Sequence, residues 1–262
     1  MMRQGKDAMM LLEGRNVLVT GGSAGIGRAI AIGAARHGAD VAINFYDDEA
    51  GAASCVAAIE ALGRRAVAVC GDVADPATAE AFVGAAAEVL GGVDVMVSNA
   101  GICPFHSFLD MPVELFTRTQ QVNLHGGYFM CQAAARQMVS QGRGGALIAI
   151  SSISALVGGE FQTHYTPTKA GLHSLMQSAA IALGRYDIRC NSLLPGTILT
   201  DINKEDLADP AKRAHMEARI PLGRLGVPDD LVGPAVFLAS DMARYVTGAA
   251  LLVDGGAFVN LQ

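Results

Sequence analysis

Tyr165 and Lys169 stand four residues apart in a stretch, 164–185, that reads as a helix, so both side chains project from one face. A free tyrosine hydroxyl ionises near pH 10. At pH 7 about one molecule in a thousand is phenolate, and forming it costs about 4 kcal/mol. A nearby ammonium, a helix N-terminus or a bound cation each favour the anion, so such a pair could take a proton near neutral pH. By itself the spacing also fits a pair on a helix surface. Ser152 strengthens the chemical reading. It follows an apolar run, 146–151, that reads as a strand, and so stands at the strand's carboxyl end, where open α/β sheets bind ligands. A hydroxyl there could hold a substrate oxygen beside the tyrosine, although Ser151, Ser152 and Ser154 also suit a polar strand-end turn. Asn123, within Val122-Asn123-Leu124-His125-Gly126, interrupts an otherwise apolar helical stretch. A buried amide needs several partners, so a kink with a mixed structural and functional role is expected.

The segment Thr20-Gly21-Gly22-Ser23-Ala24-Gly25-Ile26-Gly27 joins a strand (16–20) to a helix (26–37). Glycines let the backbone turn sharply and approach a pyrophosphate, and the N–H groups of the following helix start point at the anion. The bland alternative is a tight turn needing positive φ. Position between strand and helix favours a dinucleotide held by Gly21, Ser23, Gly25 and Ile26. Choice between NAD and NADP belongs at the end of the second strand, Asn44-Phe45-Tyr46-Asp47-Asp48. The acid position for a ribose 2′-hydroxyl falls on Phe45. Ala24 and Tyr46 stand where Arg or Lys would favour a 2′-phosphate, and Asp47 and Asp48 would repel one if turned inward. NAD is therefore expected to be preferred, with NADP tolerated.

These residues need a frame. Strands read at 16–20, 41–45, 66–70, 94–98, 146–151, 188–194 and 251–253, and helices at 26–37, 49–62, 76–90, 113–141 with a break, and 164–185. Such alternation implies right-handed crossovers and a parallel sheet covered on both faces: a single-domain, doubly wound α/β (Rossmann) fold over 14–262, with 1–13 as a frayed leader. The charged stretch 203–219, between Pro195 and Pro221, reads as a lid. The chain has 262 residues, 51% hydrophobic and 17% charged, enough apolar content for a large core. A net charge of −6 makes nucleic acid an unsuitable partner, and no apolar run is long enough to span a membrane. Five scattered cysteines without a C-x-x-C pair, and six histidines without H-E-x-x-H, point to a reducing cytoplasm and to no metal site.

Taken together the chain resembles the short-chain dehydrogenase/reductase family from about Leu12 onward. Thr20–Gly27 fits its glycine turn. Asp72-Val73 fits its adenine-contacting pair after the third strand, and Ser98-Asn99-Ala100-Gly101 fits its N-N-A-G, with Ser98 replacing the first Asn. The family's serine lies thirteen residues before its tyrosine, which selects Ser152 over Ser151, and Pro195-Gly196-Thr197 fits the turn that touches the nicotinamide amide. The resemblance implies Tyr165 as general acid/base. It implies Lys169 lowering the tyrosine pKa and holding the nicotinamide ribose, Ser152 positioning the substrate hydroxyl, and Asn123 holding a proton-relaying water. Asp72, Val73, Asn99, Gly101, Tyr165, Lys169 and Thr197 would contact the cofactor, and a homotetramer is implied.

Loop segments 100–110, 164–169, 194–207 and 251–262 resemble those of the family's branch acting on the sugar L-rhamnose, which implies oxidation at C1 to a lactone. Sugar contacts are expected from Ser152, Ser154, Gln162, Tyr165, Thr197 and Asn203, with Phe105, Leu156 or Phe161 as a wall for the 6-methyl. Rivals are another aldose (glucose, galactose or a fuculose type) and a 3-oxoacyl carrier-protein reductase, whose basic phosphate-binding residues are missing here. A non-catalytic dinucleotide-binding scaffold or sensor is a rival of another class, but it would lack the tyrosine or the lysine. The C-terminal 258–261 stretch should complete a subunit contact or a pocket floor.

Overall fold

The computed structural model of the chain describes residues 10–204 and 207–260. Seven strands form one sheet: β1 (Asn16–Thr20), β2 (Asp40–Phe45), β3 (Ala66–Cys70), β4 (Val95–Ser98), β5 (Gly145–Ile150), β6 (Ile188–Pro195) and β7 (Ala250–Val253). They pair in the order β3-β2-β1-β4-β5-β6-β7, every pair parallel. Both faces are covered, which is why β4 and β5 read as apolar runs rather than alternating ones; β1 and β2 are buried at every residue. On one face pack α1 (Gly25–Arg36), α2 (Glu49–Glu60) and α8 (Val232–Ala239). On the other pack α3 (Pro76–Leu90), α5 (Gly126–Gln141) and α6 (Thr166–Leu183). α4 (Val113–Gln120) leads into α5, and α7 (Pro210–Ala218) lies in the charged stretch read as a lid. Local chemistry sets the ends: Asp48 and Asp75 accept first-turn N–H groups of α2 and α3, and Gly91 closes α3 in the left-handed conformation.

Four boundaries differ from the sequence reading in ways that matter. The break in the 113–141 helix is a π-helical turn, Gln121–His125, between α4 and α5. α6 begins at Thr166, so Tyr165 occupies its N-cap position rather than its first turn. β5 ends at Ile150, which puts both Ser151 and Ser152 in the loop beyond it. β4 starts at Val95, and the Asp94 side chain just ahead of it accepts from Asn16 N–H at 2.8 Å and pairs with Arg143 at 2.8 Å. Of the expected leader, residues 1–9 lie outside the described residues. Leu12 packs into the core at 1% exposure and donates its N–H to His37, so the packed chain starts ahead of residue 14.

The strand order reverses between β1 and β4. Their carboxyl ends open a crevice there, the usual ligand position in such sheets, and the loops after β1, β4, β5 and β6 converge on it.

Candidate active site

The crevice begins with a splice. Thr20 ends β1, and its hydroxyl oxygen accepts from the N–H groups of Asn99 (2.9 Å) and Ala100 (3.0 Å). Asn99 returns its amide to the carbonyls of Thr20 (2.9 Å) and Gly21 (3.3 Å). The glycine turn is thus tied to the loop after β4. A Cβ on Gly27 would lie 2.2 Å from the Gly21 carbonyl oxygen, so only glycine lets α1 start this close to the turn. α1 has Ala24 at its N-cap, no side-chain cap and no acid in its first turn. Its first N–H groups therefore face the crevice beside Gly21, Gly25 and Ile26, which suits a pyrophosphate.

The reacting groups meet past the end of β5. Ser151 Oγ donates to the Lys169 carbonyl at 2.7 Å, a structural bond fixing α6 to the strand end. Ser152 instead lines the cavity and hydrogen-bonds to the Tyr165 side chain, and its Oγ also accepts from Ser154 N–H at 3.0 Å. Lys169 Nζ lies 5.5 Å from the Tyr165 ring centroid and donates to the Ile150 carbonyl at 2.9 Å. Burial pulls the Lys169 pKa down to about 8, opposed by the Cys103 thiol. Burial and Cys103 push Tyr165 up, against the hydrogen bond from Ser152. Burial of the hydroxyl opposes the phenolate, which a positive charge in the site would favour.

Asn123 sits in the π-helical turn at 1% exposure. Its Oδ1 accepts from Ile102 N–H (2.8 Å), and its Nδ2 donates to the Ile102 carbonyl (2.9 Å) and Thr168 Oγ1 (3.3 Å). The wider turn lets a helix residue reach across to the loop after β4. A Cβ added at Gly101 would fall 3.3 Å from Asn123 Oδ1 and 3.5 Å from Lys169 Nζ, so the glycine keeps these groups in reach.

The glycine turn, this cluster and the loops beyond it line one cavity of about 840 Å³. Thr197, Ser154, Gln162 and Asn203 line it, as expected of sugar contacts. Gln162 is oriented by its neighbours, with Ser154 Oγ 3.4 Å from its Oε1 and Cys103 Sγ accepting from its Nε2 at 3.4 Å. The Asn203 amide also holds the lid's first turn, accepting from Thr200 N–H and donating to the Ile198 carbonyl. Phe105 and Phe161 contribute to the apolar wall. Leu156 does not line the cavity, whereas its neighbour Val157 does. α7 reaches the cavity through Met216, and the C-terminal stretch through Ala257, Phe258 and Asn260, which fits the pocket-floor alternative; residues 261–262 lie outside the described residues. Lid residues 205–206 also lie outside them.

The far end of the crevice holds Asp72 and Val73 after β3. Neither lines the cavity, nor does Ser23. Burial would raise the Asp72 pKa, but the Arg118 guanidinium and the Ala74 N–H outweigh it and hold the carboxyl below its usual range. At the end of β2, Phe45 is buried and Tyr46 exposed. Asp48 accepts from Gly51 N–H as the α2 cap, and Asp47 has φ 57°.

Three features escaped the sequence reading. Arg118 is one charge on an amphipathic helix with nothing in its spacing to single it out. Cys103 looked like a scattered cysteine but is buried beside the reacting groups. His164 is fully buried, and neither ring nitrogen has a well-formed hydrogen bond among the described residues.

The family model described as enoyl-(acyl carrier protein) reductase matches residues 21–257. The chain belongs to the short-chain dehydrogenase/reductase family. A curated relative from Sphingomonas sp. (strain SKA58), an L-rhamnose 1-dehydrogenase (NAD(P)(+)), is 74% identical over 97% of this chain and 100% of its own. One of the same name from Azotobacter vinelandii is 66% identical over 97% of this chain and 100% of its own. Among solved structures, a gluconate 5-dehydrogenase from Burkholderia cenocepacia J2315, in complex with NADP and tartrate, superposes with a TM-score of 0.90. It is 33% identical and covers 95% of this chain and 97% of its own. Membership of the short-chain dehydrogenase/reductases fixes the fold and the class of chemistry, an oxidoreductase working with a nicotinamide cofactor. It does not fix the substrate.

Proposed function

We propose that the chain oxidises L-rhamnose at its anomeric carbon to L-rhamnono-lactone, with one reduced cofactor and one proton as the other products. The observation that carries this reading is the 74% identity, over 97% of the chain, to a protein named for that reaction. The cavity supports it: hydroxyl and amide groups crowd the reacting end, with an aromatic wall for a 6-methyl group.

Tyr165 takes the proton of the C1 hydroxyl, whose oxygen Ser152 holds. Lys169 and Thr197 flank the reacting end and would hold the nicotinamide ribose and amide. The oxidised nicotinamide, when bound, accepts the hydride from C1 and brings a positive charge to the site. Lys169 passes the proton on to a water kept by an oxygen of Asn123, whose amide hydrogens already go to Ile102 and Thr168. Gln162 and Ser154 read further sugar hydroxyls, each of which costs about 1–3 kcal/mol if buried unpaired. The turn of Gly21, Ser23, Gly25 and Ile26 receives the pyrophosphate, Asn99 and Gly101 border it, and Asp72 with Val73 receives the adenine.

NAD is the preferred cofactor and NADP is accepted, because no basic residue occupies 24, 45 or 46. The five cysteines are free thiols, which suits the cytoplasm, and no helix among the described residues is long and apolar enough to cross a membrane. Exposed Val113, Phe116 and Tyr128 on α4 and α5 support burial in a homotetramer.

An aldose panel with each cofactor tests the whole reading. L-Rhamnose should give the fastest rise in reduced cofactor, with glucose, galactose and L-fuculose slower. No turnover of L-rhamnose, alongside consumption of reduced cofactor by a 3-oxoacyl thioester, rejects it. A several-hundred-fold preference for NADP rejects the cofactor assignment, and a monomer by light scattering rejects the assembly.

A further inference from the structure

The loop carrying Asp72 leads into α3 and is gripped by the helices that pack beside α3. Arg118, on α4, reaches Asp72 with its NH1 2.7 Å from Oδ2. The other carboxylate oxygen, Oδ1, accepts from Ala74 N–H at 3.0 Å. With both oxygens engaged, the side chain has one orientation. A second contact comes from the start of α5. A Cβ on Gly126 would lie 2.8 Å from Val73 Cγ2 and 2.9 Å from the Val73 carbonyl oxygen, so α5 is packed directly on the next residue of the loop. Between these grips lies the π-helical turn that carries Asn123. One helical rod therefore contacts the reacting end of the crevice and its far end.

We infer that Arg118 is a positioning residue for the adenine end of the cofactor, acting through the orientation it imposes on Asp72. The inference rests on the dinucleotide reading given above and deepens it. The Arg118 side chain is 39% exposed and that of Asp72 28%. A pair so wetted contributes little to stability, so its consequence lies in the direction of the carboxylate. A carboxylate held by two donors keeps its remaining lone pairs in fixed directions. One of these can accept from the exocyclic amine of adenine without losing rotamer freedom on binding. Without the guanidinium the carboxylate keeps only the Ala74 N–H and turns about its own χ angles, so the cofactor must order it.

Direct binding separates this from a role in folding. NADH and reduced nicotinamide mononucleotide, which has no adenine, are titrated into the full chain by calorimetry. Arg118→Met should weaken NADH about five- to tenfold while leaving the mononucleotide unchanged, the scale of one charge-assisted bond made less favourable. Arg118→Lys should recover most of the loss. Because Arg118 acts through Asp72, the double variant Asp72→Ala/Arg118→Met should bind NADH no more weakly than Asp72→Ala alone. Unchanged NADH affinity in Arg118→Met overturns the inference. So does equal weakening of the mononucleotide, or a further loss in the double variant as large as in the single one. A wild-type chain that binds neither nucleotide overturns the dinucleotide reading itself, and the inference with it.

Discussion

Lys169 is where function and stability oppose one another at a single residue. Its ammonium is buried beside Tyr165 and hydrogen-bonded to one backbone carbonyl, and burial brings its pKa from 10.5 to about 8. Because the folded value lies below the unfolded one, the unfolded chain binds the extra proton between about pH 8 and 10.5, and this residue's contribution to stability rises with pH across that window. At pH 7 the full penalty is present, ~3 kcal/mol from the size of the drop. Lys169→Met removes the charge but leaves the Ile150 carbonyl without its donor, which takes back ~1 kcal/mol. The variant should therefore be inactive yet about 2 kcal/mol more stable at pH 7, ~4–8 °C in midpoint for a chain of this size. The gain should fade by about pH 10. Thermal melts at pH 7 and pH 10 check it, and an equal or lower midpoint at pH 7 counts against the buried charge. Tyr165→Phe tests the partner. Ser152 loses only a hydrogen-bond partner, so NADH affinity should stay within about threefold while turnover falls by a factor of ~10³ or more, as for a lost general base.

At the scale of elements, the sequence was informative where one physical rule acts alone. The central strands β1, β4 and β5 were legible because strands buried on both faces need apolar runs, and the turn after β1 was legible because close backbone approach admits only glycine. Legibility failed where tertiary contacts override local preference. The 113–141 helix reads as continuous apart from a break at Asn123, and nothing local specifies a π-helical turn; Asn123 makes it worthwhile by pairing with Ile102 across the crevice. Tyr165 reads as helical but caps α6, because its position is fixed by bonds to Gln162 and Ser152 rather than by helix propensity. Of the three wall candidates Phe105, Leu156 and Phe161, the two aromatics line the cavity, and Val157 lines it in place of Leu156. Gly27 tests the rule that was legible. Gly27→Ala puts a methyl 2.2 Å from the Gly21 carbonyl oxygen, and that atom belongs to backbone tied by Asn99. Relieving it must open the turn, at a cost of ~1–3 kcal/mol. Denaturant melts should register that loss together with at least tenfold weaker NADH binding; a variant with unchanged NADH affinity would mean the turn does not hold the cofactor.

At the scale of the whole molecule, the substrate side is a small structure of its own. Leu207, Ile220 and Leu225 form a cluster separate from the two main cores, joined by Met216 of α7 and Ala257 from the C-terminal stretch. Backbone bonds tie it to the ends of β6 and β7: Gly226 N–H donates to the Thr197 carbonyl, Leu199 N–H to the Gly226 carbonyl and Leu222 N–H to the Gly255 carbonyl. Asp254, just past β7, accepts from the N–H groups of Gly256 and Phe258, and Asn260 donates to the Arg219 carbonyl at 2.9 Å. The last described residues therefore fasten the exit of α7, while Phe258 and Asn260 line the cavity beneath it. A small cluster outside the two main cores is a unit that can open locally without disturbing the sheet. The cradle for the dinucleotide is anchored instead in β1, β4 and α1, with no contribution from this cluster. Asn260→Ala should accordingly separate the two. Losing one hydrogen bond worth ~1 kcal/mol shifts the lid toward its open arrangement, and the sugar KM should rise about three- to tenfold while the NADH dissociation constant stays within about twofold. Steady-state kinetics on L-rhamnose, paired with NADH titration, decide the matter. If both affinities fall together, lid and cradle move as one body, and the division of the crevice into a rigid cofactor side and a yielding sugar side is wrong.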